Sequence, residues 1–295
     1  MDWITEHKLP VGKTAKALFD WMNAHLGGLF EAIAAFLKLA IGAIQACLQW
    51  PPNATPFTGS YTPLYPQDYH PLLIIALAVG LTWVLQRSWK TCAVVALGFL
   101  YILNQGYWKA TSESLTLILA ACVVCMGIGV PLGIAAAHRP RLYRALQPVL
   151  DLMQTLPTFV YLIPAIVFFG LGMVPGLIAT VIFVLPAPIR LTALGISSTP
   201  VQLTEAISAF GATPAQKLWK VELPYAMPQI MAGLNQTIML SLSMVVIAAM
   251  VGANGLGVPV VRALNSVNTA LGFEAGMVIV VVAVLLDRML RVSRK

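Results

Sequence analysis

From residue 71 onward, the sequence alternates between long apolar segments and shorter polar connections. The apolar segments cover about residues 71–86, 91–106, 114–137, 148–170, 174–190, 228–251 and 273–290. Several of them approach the roughly 20 residues that an α-helix needs to cross a bilayer. The pattern therefore predicts an all-α integral membrane protein with about seven transmembrane helices.

The first 70 residues have a different pattern, with more polar positions and a proline-rich run at 51–56. Between residues 26 and 48, apolar residues form one helical face: Leu26, Phe30, Ile33, Leu37, Ile41, Ile44 and Leu48. The opposite face carries Glu31, Lys38, Gln45 and Gln49. A charge at the bilayer centre costs about 2.5–3.5 kcal/mol on insertion scales, which favours an amphipathic helix lying in the interface. Crossing stays open if the polar face contacts protein.

Composition agrees with a membrane protein. Of the 295 residues, 59% are apolar and only 10% are charged, whereas an average soluble domain has about 25% charged residues. The mean hydropathy is +0.82. A net charge of +7 would suggest an acidic partner such as nucleic acid in a soluble protein. Here we interpret the basic residues as topology signals beside the membrane spans.

The basic residues are unequally divided between the two sides of the predicted bundle. One side holds Arg87, Lys90, Arg139, Arg141, Arg144, Arg190, Lys217, Lys220, Arg288, Arg291, Arg294 and Lys295. The other side holds only Lys109 and Arg262, so the first side is predicted to be cytoplasmic. The N-terminal 70 residues are then periplasmic and residues 71–295 form the transmembrane domain. If 26–48 also crosses, the N-terminus lies inside, which Lys8, Lys13 and Lys16 would suit.

Candidate chemistry within the spans is sparse. Cys122 and Cys125 form a C-x-x-C, but they stand in an apolar segment and are interpreted as small buried residues. The four histidines do not cluster at metal-ligand spacing, so we predict no catalytic and no metal site. Gly129 and Gly133 form a G-x-x-x-G, which suggests a close helix crossing.

A loop on the cytoplasmic side, residues 197–225, is predicted to form two short helices. The first covers 202–210, and Gly211 breaks it because glycine permits a positive φ. Thr213 is the expected N-cap of the second helix, with Pro214 at its first position and Gln216 placed for a capping box.

The second helix is expected to end at Leu223, because the following Pro224 disfavours a helical residue before it. The stretch between residues 200 and 225 contains two lysines and no arginine. It therefore lacks the positive charge that a nucleic-acid interface requires.

The spacing within this loop resembles a known signature. Glu205-Ala206-Ile207, Gly211 and, nine residues later, Val221-Glu222-Leu223-Pro224 resemble the "EAA" motif of importer permeases in the ATP-binding cassette (ABC) superfamily. Ile207 and Val221 replace an alanine and an isoleucine of that motif. Residues 154–190 and 230–257 are similar to the permeases of glycine betaine, proline betaine and choline importers. The resemblance covers about residues 70–290.

The resemblance implies a type I importer permease fold and a set of partners. The loop 197–225 would be a coupling loop that docks on a cytoplasmic ATPase subunit, which binds ATP and Mg²⁺; this chain would bind no cofactor itself. A periplasmic binding protein would deliver the substrate, and a second permease copy would complete a homodimer in the bacterial inner membrane. The residues of the coupling loop that dock on the ATPase would be Glu205, Ala206, Gly211, Thr213, Pro214, Leu223 and Pro224. Glu205 would be either a contact to the ATPase or a helix cap.

Other functions fit the sequence less well than that of an importer permease. The chain has no P-loop, because Gly12-Lys13-Thr14 lacks the first glycine at position 7 and a preceding strand. An ion-coupled secondary transporter would need ionisable residues deep in the membrane, and an importer for another small solute, such as an amino acid, also stays open. Polar residues that are candidates to line the path stand in the sixth span: Asn235, Gln236, Ser241 and Ser243.

Overall fold

The computed structural model describes residues 11–48 and 71–290, and every regular element within these ranges is helical. The helices are α1 (Val11–Leu48), α2 (Pro71–Gln86), α3 (Trp89–Asn104), α4 (Trp108–His138), α5 (Pro140–Thr155), α6 (Leu162–Phe169), α7 (Met173–Val184), α8 (Pro186–Ser197), α9 (Val201–Ala209), α10 (Pro214–Lys217), α11 (Leu223–Ala249), α12 (Gly257–Ser266) and α13 (Thr269–Leu290). A 3₁₀ turn (Thr158–Tyr161) precedes α6, and a π-helical turn (Leu218–Glu222) joins α10 to α11. The proline-rich run and the last basic residues lie outside the described ranges.

Five helical segments of the described chain are long and apolar enough to cross a membrane. They are Gly12–Leu48, Trp108–His138, Met173–Ser197, Pro214–Ala249 and Thr269–Leu290, and a bent pair formed by α5 and α6 raises the number to six. Helices α2 and α3 have 16 residues each, which is about 24 Å at 1.5 Å per residue. The all-α membrane architecture is confirmed, with five or six long spans where seven were expected.

The predicted span 148–170 is not one straight helix. Its two parts, α5 and the segment from the 3₁₀ turn through α6, meet at 104°. Between them Leu156 and Pro157 have extended backbone, because a residue before proline is disfavoured in the α region. The Tyr161 hydroxyl donates a hydrogen bond to the Met153 carbonyl at 2.7 Å and ties the two parts together.

Helix α1 is longer than the predicted 26–48, and its apolar stripe contacts protein. Leu37 and Ile41 are buried against residues of α4 and α7: Ala120, Ala121, Val174 and Leu177. Phe30 stacks on Phe168 with ring centroids 4.5 Å apart. Glu31 and Lys38 lie on the exposed side of the helix. The predicted apolar face therefore contacts the transmembrane domain at Leu37 and Ile41, whereas apolar residues outside this face, such as Phe36 and Leu39, are exposed.

The centre of the molecule is the contact between α4, α8 and α11, which glycines bring close together. A Cβ atom added at Gly129 would lie 2.8 Å from the Pro188 Cγ atom, and one added at Gly133 would lie 2.6 Å from the Thr192 Cβ atom. The G-x-x-x-G prediction is thus confirmed as a close crossing of α4 and α8. Cys122 and Cys125, on the same helix, are both buried and free, as expected for small core residues.

Candidate functional site

The loop 197–225 has the local structure that its sequence predicts, up to residue 217. Helix α9 ends at Ala209, and Gly211 follows with φ +77°. The Gln216 amide donates to the Thr213 hydroxyl at 3.3 Å, and the Thr213 amide donates to the Gln216 side-chain oxygen at 2.9 Å. The capping box is therefore confirmed, and it fixes the start of α10 next to Pro214.

The predicted end of the second helix is wrong. Helix α10 does not stop at Leu223 and Pro224 but continues through the π-helical turn directly into α11. Pro224 stands in the first turn of α11, directly after the π-helical turn, and because it has no amide hydrogen the segment continues past it without one of its backbone hydrogen bonds. The wide turn before it also carries the Leu223 amide to the Leu218 carbonyl, five residues back. The result is one helical segment, Pro214–Ala249, from the loop into the bundle.

The surface of the loop exposes apolar side chains. Helix α9 buries none of its residues, and the exposed fraction is 92% for Phe210 and 70% for Trp219. Glu205 and Ala206 are exposed on the same helix, α9. Exposed large apolar residues on a short polar loop are typical of a surface that binds another protein.

The base of the loop is held against the C-terminal end of α4. The Glu222 carboxylate is buried, and its Oε2 atom lies 2.8 Å from the His138 Nε2 atom. The Lys217 Nζ atom lies 3.8 Å from the other carboxylate oxygen. Sequence reasoning missed this pair, because 84 positions separate its members. The one available signal was a carboxylate between the apolar residues Val221 and Leu223.

The four polar residues proposed for the path occupy different surroundings on α11. Gln236 and Ser243 are exposed and seven positions apart, so they share one helical face. Asn235 is half-buried, and Ser241 is fully buried. Within the described residues, the Asn235 side-chain oxygen and the Ser241 hydroxyl have no hydrogen-bond partner. The structure therefore brings only Gln236 and Ser243 together on an accessible face.

Residues 129–294 match the family described as "Binding-protein-dependent transport system inner membrane component". The chain belongs to this family. The permease thus has both the exposed loop and the family match that its sequence signature implied. Within the described residues, no group of three His, Cys, Asp or Glu side chains could hold a metal ion.

Relatives and solved structures agree with the family. The permease is 43% identical over 281 residues to the glycine betaine transport system permease protein OpuAB of Bacillus subtilis, covering 95% of this chain and 93% of the relative. It is 39% identical over 282 residues to the glycine betaine/proline betaine permease ProW of Escherichia coli, covering 95% and 74%. An inward-facing structure of the MetNI methionine ABC transporter aligns with a TM-score of 0.53 and 25% identity, over 62% of this chain and 94% of that chain.

These comparisons establish a multi-pass inner-membrane permease of an ABC importer with the type I fold. Its relatives are subunits of transport systems, and permeases of this family generally work together with an ATPase and a substrate-binding protein.

Proposed function

We propose that two copies of this permease form the translocation path of an ATP-driven importer for a small osmoprotectant: choline, glycine betaine or proline betaine. Separate cytoplasmic ATPase subunits bind ATP and Mg²⁺ and hydrolyse the nucleotide, and a periplasmic binding protein delivers the substrate. The permease itself performs no catalysis. Its coupling loop, residues 197–225, docks on the ATPase.

The observation that carries this proposal is the exposed loop at the end of a long helix. Gly211 and the capping box at Thr213 set a sharp, defined turn, and Phe210 beside it is almost fully exposed. Because only the π-helical turn separates α10 from α11, the loop is joined directly to a helix of the central bundle. Such an arrangement suits a part that transmits movement from one subunit to another.

The substrate class rests on the relatives. OpuAB and ProW, whose names specify glycine betaine or proline betaine, align with nearly the whole of this chain. Quaternary ammonium groups are bound by aromatic cages through cation–π contacts. In such importers we assign that cage to the binding protein, so the permease needs only a polar, uncharged path.

The exposed polar face of α11 is the observation that supports a translocation path beside this helix and a second copy of the permease. Gln236 and Ser243 are exposed on a helical segment that is long enough to span. Polar groups facing lipid would be costly, so this face is better placed against a second copy around a hydrated path. Ser241 is buried inside the bundle and Asn235 is half-buried, so neither is assigned to this accessible face.

Reconstitution tests both the coupling to an ATPase and the substrate class. The permease is placed in proteoliposomes with its ATPase and binding protein, and uptake of radiolabelled choline, glycine betaine, proline betaine and an amino acid is measured with and without internal ATP. We expect ATP-dependent uptake of at least one quaternary amine. Uptake of the amino acid alone would refute the substrate class. Uptake that continues without ATP under an ion gradient would refute the coupling to an ATPase.

A further inference from the structure

The carboxylate of Glu222 lies at the point where the coupling loop becomes a transmembrane helix. It is the last residue of the π-helical turn, and it is only 5% exposed. A buried carboxylate is costly unless charged or donor groups surround it. Here the partners are His138 at 2.8 Å and Lys217 at 3.8 Å. One partner belongs to α4 and the other to the loop.

The ring of His138 is fixed from both sides. Its Nδ1 atom lies 2.9 Å from the Ile134 carbonyl, and because a carbonyl oxygen only accepts, Nδ1 donates this bond. The Nε2 atom is thereby directed at the Glu222 carboxylate. The imidazole therefore connects the last turn of α4 to the base of the coupling loop, and it does so with little rotational freedom.

Apolar packing surrounds the same position. Three buried residues, Ile196, Ala226 and Ile230, pack against partly buried residues of α4 and the loop base: Met126, Val130, Ile134, Ala137, Leu218 and Leu223. Beside this packing the Glu222 side chain is only 6% exposed, whereas the His138 side chain is 45% exposed. A hydrogen bond to a buried carboxylate is stronger than one to a carboxylate in open water.

The π-helical turn is a second indication that the position of Glu222 has a functional role. Such turns are rare overall but common at functional positions. This one separates α10, which belongs to the coupling loop, from α11, which belongs to the bundle. The regular α-helical hydrogen bonding is thus interrupted at the same point where the short contact to α4 is made.

We propose that the His138–Glu222 contact transmits movement of the coupling loop to helix α4, so that α4 and α11 move together when the ATPase closes. The proposal rests on the proposed docking function of the loop. His138 and Glu222 are positioning residues: neither touches substrate or nucleotide. Without their contact, loop movement is absorbed in the π-helical turn, and ATP is hydrolysed with little transport.

The test uses the whole transporter in proteoliposomes and measures uptake and ATP hydrolysis in the same sample. In His138→Ala and Glu222→Ala, we expect the amount of substrate transported per ATP to fall about tenfold, as expected for losing one charge-assisted hydrogen bond. The double variant should be no worse than the worse single variant, because each change removes the same contact.

A pair of conservative variants keeps the test valid if Glu222→Ala does not fold. In His138→Gln the side-chain amide nitrogen lies near the position of the Nε2 atom, whereas in His138→Asn it lies near that of Nδ1. We therefore expect His138→Gln to retain at least about half of the wild-type ratio and His138→Asn to behave like His138→Ala. The reverse order would contradict the contact.

The matched control is Asp151→Asn. Asp151 makes a 2.6 Å ion pair with Arg190 between α5 and α8, and neither residue belongs to the coupling loop. Its loss should leave the transport ratio within about twofold of wild type, as for a half-exposed pair. Equal losses of uptake and hydrolysis in the His138 and Glu222 variants would overturn the proposal and assign the contact to folding alone.

Failure of the docking function gives a different result. If the wild-type loop does not dock, the ATPase does not co-purify with the permease and the wild-type uptake is independent of ATP. If only the present proposal is wrong, the ATPase co-purifies with every variant and the transport ratio of the alanine variants equals that of wild type.

Discussion

The coupling loop and the α4–α8 crossing both depend on a glycine, but for opposite reasons. At Gly211 a Cβ atom would meet nothing within 4 Å, and the constraint is the positive φ of +77°. At Gly133 φ is not in the positive region, and the constraint is the Thr192 side chain 2.6 Å from the position of a Cβ atom. The turn at Gly211 is therefore specified by backbone conformation, and the crossing at Gly133 is specified by the available space.

The largest effect is expected where space is lacking. In Gly133→Val, three added carbons collide with α8, and overpacking of this kind costs roughly 1–3 kcal/mol or more. We expect a low yield in membranes and a lower melting temperature in detergent. The control is Gly127→Val on the same helix, where a Cβ atom meets nothing within 4 Å. Equal yields and melting temperatures for the two variants would show that the crossing does not limit assembly.

Gly211→Val should separate transport from folding. A β-branched residue in the left-handed region costs about 1–2 kcal/mol, and the loop is expected to leave its conformation while the bundle stays intact. We predict normal membrane insertion and melting temperature, with ATP-driven uptake abolished. Gly211→Asn, which tolerates a positive φ better, should keep a measurable part of the uptake. Normal uptake in the valine variant would reject the docking function of the loop.

A smaller effect is expected from a substitution on the exposed surface beside Gly211. Phe210→Ser removes an aromatic ring that has few contacts in the permease, so the free energy of unfolding should change by less than about 0.5 kcal/mol. Binding of the ATPase should weaken roughly tenfold if the ring is an anchor of the interface. Titration of the detergent-solubilised permease with purified ATPase measures this affinity. Leu264→Ser is the matched control, since Leu264 is 70% exposed on α12. Equal affinities in both variants would exclude Phe210 from the interface.

The smallest effects are expected within α11. Gln236→Leu should change the transport rate by about threefold, because one uncharged polar contact to a passing substrate or its water is worth about 0.5–1.5 kcal/mol. Ser241→Ala should leave transport unchanged, since the Ser241 hydroxyl is buried and has no partner within the described residues. Steady-state uptake with the wild-type ATPase is the measurement. A stronger effect at Ser241 than at Gln236 would reverse the assignment of the exposed face to the path.

The local parts of the loop could be predicted from sequence because each depends on neighbouring residues. The capping box needs only Thr213 and Gln216, and the turn needs only Gly211. The end of the loop could not be predicted in this way, since Pro224 is equally compatible with the last residue of one helix and the first turn of the next. Only packing decides between them, and the structure shows a continuous segment.

The bundle was predictable to a similar extent. The apolar segments predict the helices of the bundle, and Gly129 and Gly133 indicate the close crossing of α4 with another helix, which is α8. The size of the bend between α5 and α6 could not be predicted from sequence, because a proline such as Pro157 interrupts a helix without fixing the angle between its two parts. The His138–Glu222 contact was beyond sequence reasoning, because no periodic pattern connects residues 84 positions apart.

The π-helical turn has a consequence for how sequences of this kind can change by insertion or deletion. A π-helical turn holds one residue more than the α-helical path it replaces. Deleting one residue within Leu218–Glu222 would therefore restore a regular helix and leave the coupling loop and α11 in nearly the same rotational register. A one-residue deletion in a regular part of α11, far from this turn, would instead rotate everything before it by about 100° around the helix axis. A change of one residue in length is therefore expected to be tolerated better within the π-helical turn than within α11.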